Sequence, residues 1–168
     1  MSNKLLLTSF QTWLPHQISN SSDDLLETIQ KRRFAEDSLF FLRKLPVDIE
    51  LASGQVIEKI KAIKPTAIVC CGMAESREKL TVESNAVCRE NCIFTMVDLN
   101  KMITCLADTE VSHNAGKFVC EGLYYAILKY TQANALNIPC IFIHVPVLNA
   151  RNIDVVQEDL TAIINFLL

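Results

Sequence analysis

The stretch Thr66-Ala-Ile-Val-Cys-Cys71 carries no charge and ends at Gly72. A short apolar run of this kind reads as a strand buried on both faces, and such a strand needs helices above and below it. A second run, Cys140-Ile-Phe-Ile-His-Val145, follows the breaker Asn137-Ile-Pro139. Cover is available nearby. Residues 52–63 place Val56, Ile57, Ile60 and Ile63 at helical spacing before Lys64-Pro65 stops them. Residues 154–168 do the same with Val155, Val156, Leu160, Ile163, Ile164 and Leu167. Strands alternating with helices predict an α/β fold of three layers, α/β/α, around a twisted, mostly parallel sheet, with residues 1–168 as one domain.

The rest of the chain fits this frame. Residues 4–10 read as a first strand, because one lysine and a brief apolar core suit a strand better than a signal peptide. A loop over 11–20 carries Trp13 and His16, and Ser21-Ser22-Asp23-Asp24 then offers caps and first-turn acids to a helix over 23–33. Residues 39–47 are a strand candidate broken by Arg43-Lys44. Residues 79–87 alternate, with Leu80, Val82 and Ser84 on one side and Thr81, Glu83 and Asn85 on the other. A further short strand is expected within 93–103.

Composition narrows the function classes. Half the residues are hydrophobic and 21% are charged, which predicts a packed core rather than disorder. The net charge of -3 argues against nucleic acid as the main partner, and no apolar run is long enough to span a membrane. Seven cysteines, mostly within apolar segments, point to reduced, buried thiols in a cytoplasmic protein. Cys88 and Cys92 have a spacing that zinc can use, but no second ligand pair follows, so neither metal nor cofactor is expected.

Chemistry concentrates where Val111-Ser-His-Asn-Ala-Gly116 leads into a helix that carries Cys120 in its first turns and extends to about residue 136. Ser112 or Asn114 can cap that helix, and Gly116 lets backbone pass close to a neighbour. The helix dipole favours thiolate over thiol, which makes Cys120 a nucleophile candidate. Phe118, Leu123 and Ile127 surround it at helical spacing, so a small buried apolar residue is the other reading. His144 ends a buried strand, and Glu83 lies on a polar strand face near the Gly72 turn. Singly, each has a plainer role, as a satisfied core histidine or a solvated acid. Together they fall where the carboxyl ends of strands meet, and a thiol nucleophile, a base and an orienting acid form one working set.

At these residues the chain resembles the pyroglutamyl-peptidase I family, cysteine peptidases that remove an N-terminal pyroglutamate. Val111-Ser-His-Asn-Ala-Gly-Lys-Phe-Val-Cys120-Glu matches the family's nucleophile region, and Phe142-Ile-His144-Val-Pro146 matches its Phe-x-His-Val/Ile-Pro strand. Glu83-Ser-Asn-Ala86 answers its Glu-Arg-x-Ala segment. The resemblance implies a phosphorylase/hydrolase-like fold, with Cys120 as nucleophile, His144 as base and Glu83 as the group that orients it.

Departures from the family gather around the substrate. Its Thr-Gly-Phe-x-Pro-Phe-Gly-Gly and Asn-Pro-Ser segments read here Thr8-Ser-Phe10-Gln-Thr-Trp13-Leu-Pro and Asn20-Ser-Ser, and its Gly-Gln-Ala-Gly-Gly-Arg turn reads Gly72-Met73-Ala74-Glu75-Ser76-Arg77. Phe10, Trp13, Asn20, Gly72 and Met73 are the candidate substrate contacts, with packing as the alternative role for Phe10 and Trp13. The segment from Glu83 to Cys120 is shorter than in the family, and the chain ends early. The resemblance nonetheless implies a hydrolase, a thiol protease acting on a peptide or small amide with a blocked N-terminus. The alternative, favoured by Met73 and Glu75, is a family member that binds a small molecule or a protein without turnover. The high apolar fraction also allows a homo-oligomer.

Overall fold

The computed structural model describes residues 3–31 and 38–168. Among the described residues four long strands and four long helices carry the architecture, with shorter pieces between them. In chain order the elements are β1 (Leu5–Phe10), α1 (Ser21–Lys31), β2 (Leu39–Leu45), α2 (Ile49–Ile63), β3 (Ala67–Met73) and β4 (Thr81–Glu83). They continue with β5 (Asn85–Cys88), β6 (Asn91–Phe94), α3 (Leu99–Ile103), β7 (Glu110–Ser112), α4 (Val119–Ala133), β8 (Cys140–Val145) and α5 (Ile153–Leu167).

The main sheet has the order β2-β1-β3-β8-β4-β7. Its first four strands are mutually parallel, while β4 runs antiparallel to β8 and carries β7 parallel to itself. Alternate side chains of the central strands feed two cores. Leu5, Leu7, Val69, Ile141 and Ile143 pack with Leu25 and Ile29 of α1 and with Leu160 and Ile164 of α5. Leu6, Ile68, Cys70 and Phe142 pack on the other face with Val56 and Ile60 of α2 and with Leu123 and Ile127 of α4. This is the predicted three-layer arrangement with a mostly parallel sheet. Among the described residues, no helix is long and apolar enough to cross a membrane.

Several local expectations change in the folded chain. Helix α1 begins at Ser21 because Asn20 caps it, its side-chain oxygen accepting from the Ser22 amide at 3.0 Å and from the Ser22 hydroxyl at 2.7 Å. Its predicted end at Arg33 lies outside the described residues. Strand β2 passes through Arg43 rather than breaking there. Arg43 donates twice to Asp23, from Nε to Oδ1 at 2.8 Å and from Nη2 to Oδ2 at 2.9 Å, which makes its charge part of the packing. The irregularity comes at Lys44, whose φ of 59° accompanies a register shift against β1.

Helix α2 starts earlier than its apolar spacing indicated, at Ile49, because Asp48 accepts from the Leu51 amide at 2.8 Å. It ends as expected, with Lys64 in the left-handed conformation. The alternating run after Lys79 does not continue as one strand. It turns at Ser84, leaving β4 in the main sheet and placing β5 in a hairpin with β6. Within 93–103 the expected short strand is the end of β6, at Ile93 and Phe94, and the region finishes as helix α3. Only part of the cysteine expectation holds: Cys70, Cys71 and Cys140 are buried in the sheet, whereas Cys88, Cys92 and Cys105 sit on exposed pieces outside it.

Candidate active site

The site forms where β3, β4, β8 and the start of α4 meet. Residues of β8 alternate between the two cores, and the alternation that turns Cys140 and Phe142 toward α4 turns His144 the same way. On β4, Val82 belongs to the opposite core, so Glu83 also faces α4. The imidazole Nδ1–H of His144 donates to Oε1 of Glu83 at 2.8 Å. Because an ionised carboxylate only accepts, this bond places the ring proton on Nδ1 and leaves Nε2 able to take another. Glu83 is fully buried and His144 nearly so, with the Phe142 ring centred 5.0 Å from the imidazole. Burial pushes the Glu83 carboxyl up, but His144, Ser112 and Arg77 more than offset it and hold it below the ordinary range.

Cys120 is the second residue of α4, and its sulfur lies over Gly72 of β3, directly beside His144 in the β3–β8 register. Cys120 and His144 line one cavity of ≈ 680 Å³. The expected cap of α4 is different from what the sequence indicated. Phe118 is the N-cap residue and makes no side-chain cap bond. Ser112 and Asn114 instead close the preceding turn, with the Asn114 amide donating to Ser112 Oγ at 3.2 Å and the Gly116 amide to Asn114 Oδ1 at 3.0 Å. Gly116 sits there with φ of 93°, a conformation that glycine adopts without the penalty of a side chain.

The thiol is also less acidic than the helix dipole suggested. Burial, reinforced by Cys70 and Glu83, pushes Cys120 up to about 12, against a smaller lowering from a backbone hydrogen bond. That shift favours the neutral thiol over the thiolate at Cys120. The dipole is outweighed by what the sequence did not display, namely enclosure against the sheet and a carboxylate nearby.

Of the candidate substrate contacts, Trp13 and Met73 line the cavity. Met73 Sδ also takes the Ser21 amide at 3.4 Å. Gly72 lies beneath the sulfur of Cys120, a role of clearance rather than contact. Phe10 is buried in the core under α2 and does not line the cavity, and Asn20 serves as the cap of α1. Phe118 joins the cavity wall, its ring 6.1 Å from that of Trp13. Glu75 accepts from Gln17 at 3.0 Å and pairs with His16 at 2.9 Å, which ties the loop 11–20 to the loop after β3. Arg77, not among the candidates, reaches the buried acid, with Nη2 3.7 Å from Glu83 Oε1. Its position at the end of the turn after Gly72 was the only available signal.

A family model described as pyroglutamyl peptidase matches residues 91–163, a span that contains Cys120 and His144. The pyrrolidone-carboxylate peptidase of a Thermoanaerobacter species is 28% identical over 171 residues, covering 86% of this chain and 83% of that protein. The pyrrolidone-carboxylate peptidase of Brachyspira hyodysenteriae is 26% identical over 180 residues, covering 90% and 87%. Among solved structures, pyroglutamyl peptidase I from Bacillus amyloliquefaciens superposes with a TM-score of 0.84 at 20% identity, covering 96% of this chain and 93% of that one. Pyrrolidone carboxyl peptidase from Pyrococcus furiosus does so with a TM-score of 0.83 at 17% identity, covering 98% and 100%. These two structures share the fold.

Proposed function

Because the chain belongs to the pyroglutamyl peptidase family, we propose that it is a cysteine peptidase that removes a pyroglutamyl or related blocked residue from the N-terminus of a peptide. Cys120 is the nucleophile, His144 the base and Glu83 the group that orients the imidazole. The observation that carries this reading is the 2.8 Å bond from His144 Nδ1–H to buried Glu83, made by a histidine that shares a cavity with Cys120.

The chemistry follows from that arrangement. With the thiol neutral at rest, its proton passes to His144 Nε2 as the sulfur attacks the scissile carbonyl, and Glu83 stabilises the imidazolium that forms. Amides in the first turn of α4 lack helical partners and are the oxyanion donors nearest Cys120. The amide of Phe10 is not available for this, since it already faces Ser22 Oγ at 3.5 Å. When the intermediate collapses, the peptide amine leaves with the proton from His144, and the acyl group remains on sulfur as a thioester. Water, deprotonated by His144, then releases the acid and restores the thiol. Trp13 and Met73 form walls of the acyl pocket, and the substrate is a peptide or small amide.

The test is hydrolysis of a pyroglutamyl fluorogenic amide beside its prolyl and alanyl counterparts. Cleavage of the pyroglutamyl amide alone, abolished by Cys120→Ala, is the expected result. One observation favours a second reading, binding without turnover: the cavity presents apolar Met73 where a polar contact is expected, and Glu75 is engaged by His16 and Gln17. Trp13 is the chain's single tryptophan. A change in its fluorescence on adding a pyroglutamyl peptide, without hydrolysis of any of the three amides, would select that reading.

A further inference from the structure

Glu83, its carboxyl held below the ordinary range by its neighbours, places a negative charge fully buried beneath the site. A charge in that position requires a counter-charge or takes up a proton. The groups that face Glu83 are His144 from β8, Ser112 from β7, Arg77 from the loop after β3, and Cys120 and Tyr124 from α4. Both α4 groups stay neutral, the Cys120 thiol pushed up to about 12 and the Tyr124 phenol held well above its usual value by burial. Tyr124 also commits its hydroxyl to the Glu83 main-chain oxygen at 3.0 Å.

Arg77 is therefore the one permanent cation among the described residues within ion-pair distance of Glu83. Its Nη2 lies 3.7 Å from Oε1, the same oxygen that accepts from His144. The guanidinium is anchored there, since Nη2 also donates to the Asn114 main-chain oxygen at 3.1 Å and to Ser112 Oγ at 3.3 Å. Ser112 in turn is the register partner of Glu83 across β4 and β7.

We infer that Arg77 is a positioning residue that neutralises Glu83 and thereby keeps the second proton off His144, so that the imidazole enters the reaction as a free base. Without that cation, the nearest counter-charge for Glu83 is an imidazolium on His144, and a protonated base cannot accept from Cys120. The inference rests on the assignment of Cys120, His144 and Glu83 as the reacting set. Arg77 also fastens the Ser112–Asn114 turn that leads to Cys120, so its electrostatic role must be separated from that fastening.

The experiment follows imidazole proton resonances by NMR across pH, a readout that needs no turnover. The chain has three histidines, His16, His113 and His144, each assignable by substitution. Arg77→Gln keeps hydrogen-bonding capacity and removes the charge, and Arg77→Lys keeps the charge. In Arg77→Gln the His144 resonance is expected to turn over about one pH unit higher than in the unsubstituted protein, with Arg77→Lys restoring most of the difference. If the amide is cleaved, the acid limb of kcat/KM moves upward by the same interval. Coincident His144 curves in the unsubstituted protein and Arg77→Gln would reduce Arg77 to a fastening of the turn, and so would equal shifts in both variants. Ser112→Ala retains the charge but loosens its anchor, and covers the case in which Arg77→Gln does not fold. A smaller upward shift there supports the inference, and no shift opposes it. Displaced His144 titration in a protein that cleaves nothing would uphold the role of Arg77 and overturn the peptidase reading.

Discussion

The sulfur of Cys120 lies 2.6 Å from where a Cβ would stand on Gly72, and Phe142 Cζ lies 2.9 Å from the same point. No side chain fits between them. Gly72→Ala must displace the thiol or the fully buried Phe142 ring, at a cost of about 1–3 kcal/mol in stability. Displacement of the nucleophile is expected to lower kcat/KM about 100-fold. Thermal melts and amide kinetics on Gly72→Ala check both, and unchanged kinetics would mean that the thiol position is not critical.

The desolvated thiol predicts an order of alkylation. At pH 7.5, limiting iodoacetamide with peptide mapping should mark exposed Cys88, Cys92 and Cys105 before Cys120, whose thiolate is scarce because burial pushes it up to about 12. Labelling of Cys120 should still be rising at the highest pH the fold survives. Fast labelling of Cys120 at neutral pH would reveal a preformed thiolate instead.

The clamp between α1 and β2 predicts a pH-dependent loss. Burial pushes the Asp23 carboxyl up, and bonds from Arg43 and Ser9 more than reverse this, holding it below the usual range. The contribution of a lowered acid is complete above its unfolded value of about 3.9 and is lost as pH falls through the folded value. Arg43→Met is therefore expected to cost about 3 kcal/mol at pH 7, with the difference shrinking below about pH 4. Urea unfolding at several pH values measures it, and a cost independent of pH would assign the loss to packing.

Met73 predicts weak recognition of a lactam. An unpaired lactam group in a closed pocket costs about 1–3 kcal/mol, or roughly tenfold to hundredfold in transition-state binding. Met73→Gln should raise kcat/KM for the pyroglutamyl amide, and Cys120→Ala in that background should abolish the gain. A Met73→Gln variant with no gain, but with intact turnover of another amide, would indicate a pocket shaped for a different acyl group.

The layer order, the two central strands and the pairing of helix starts with strand ends were legible in the sequence, because each depends on local periodicity. Residues 66–71 and 140–145 read as buried strands from composition, and both are. The likeness around Cys120 and His144 was legible for the same reason, being carried by short contiguous motifs. The reversal of β4 was not, because its pairing with β8 joins Thr81 to His144 across the chain and no local pattern encodes strand direction.

The site divides along the same line. Residue types alone identified Cys120, His144 and Glu83 as chemically able to act together. Tertiary structure decided that Glu83 and His144, 61 residues apart, make a 2.8 Å bond, that Arg77 stands over the same oxygen, and that Phe10 and Asn20 serve packing and capping. It also decided the protonation of the thiol. The helix dipole is a property of a segment and can be read from it, whereas desolvation and the field of a distant carboxylate depend on what the whole chain brings against the sulfur.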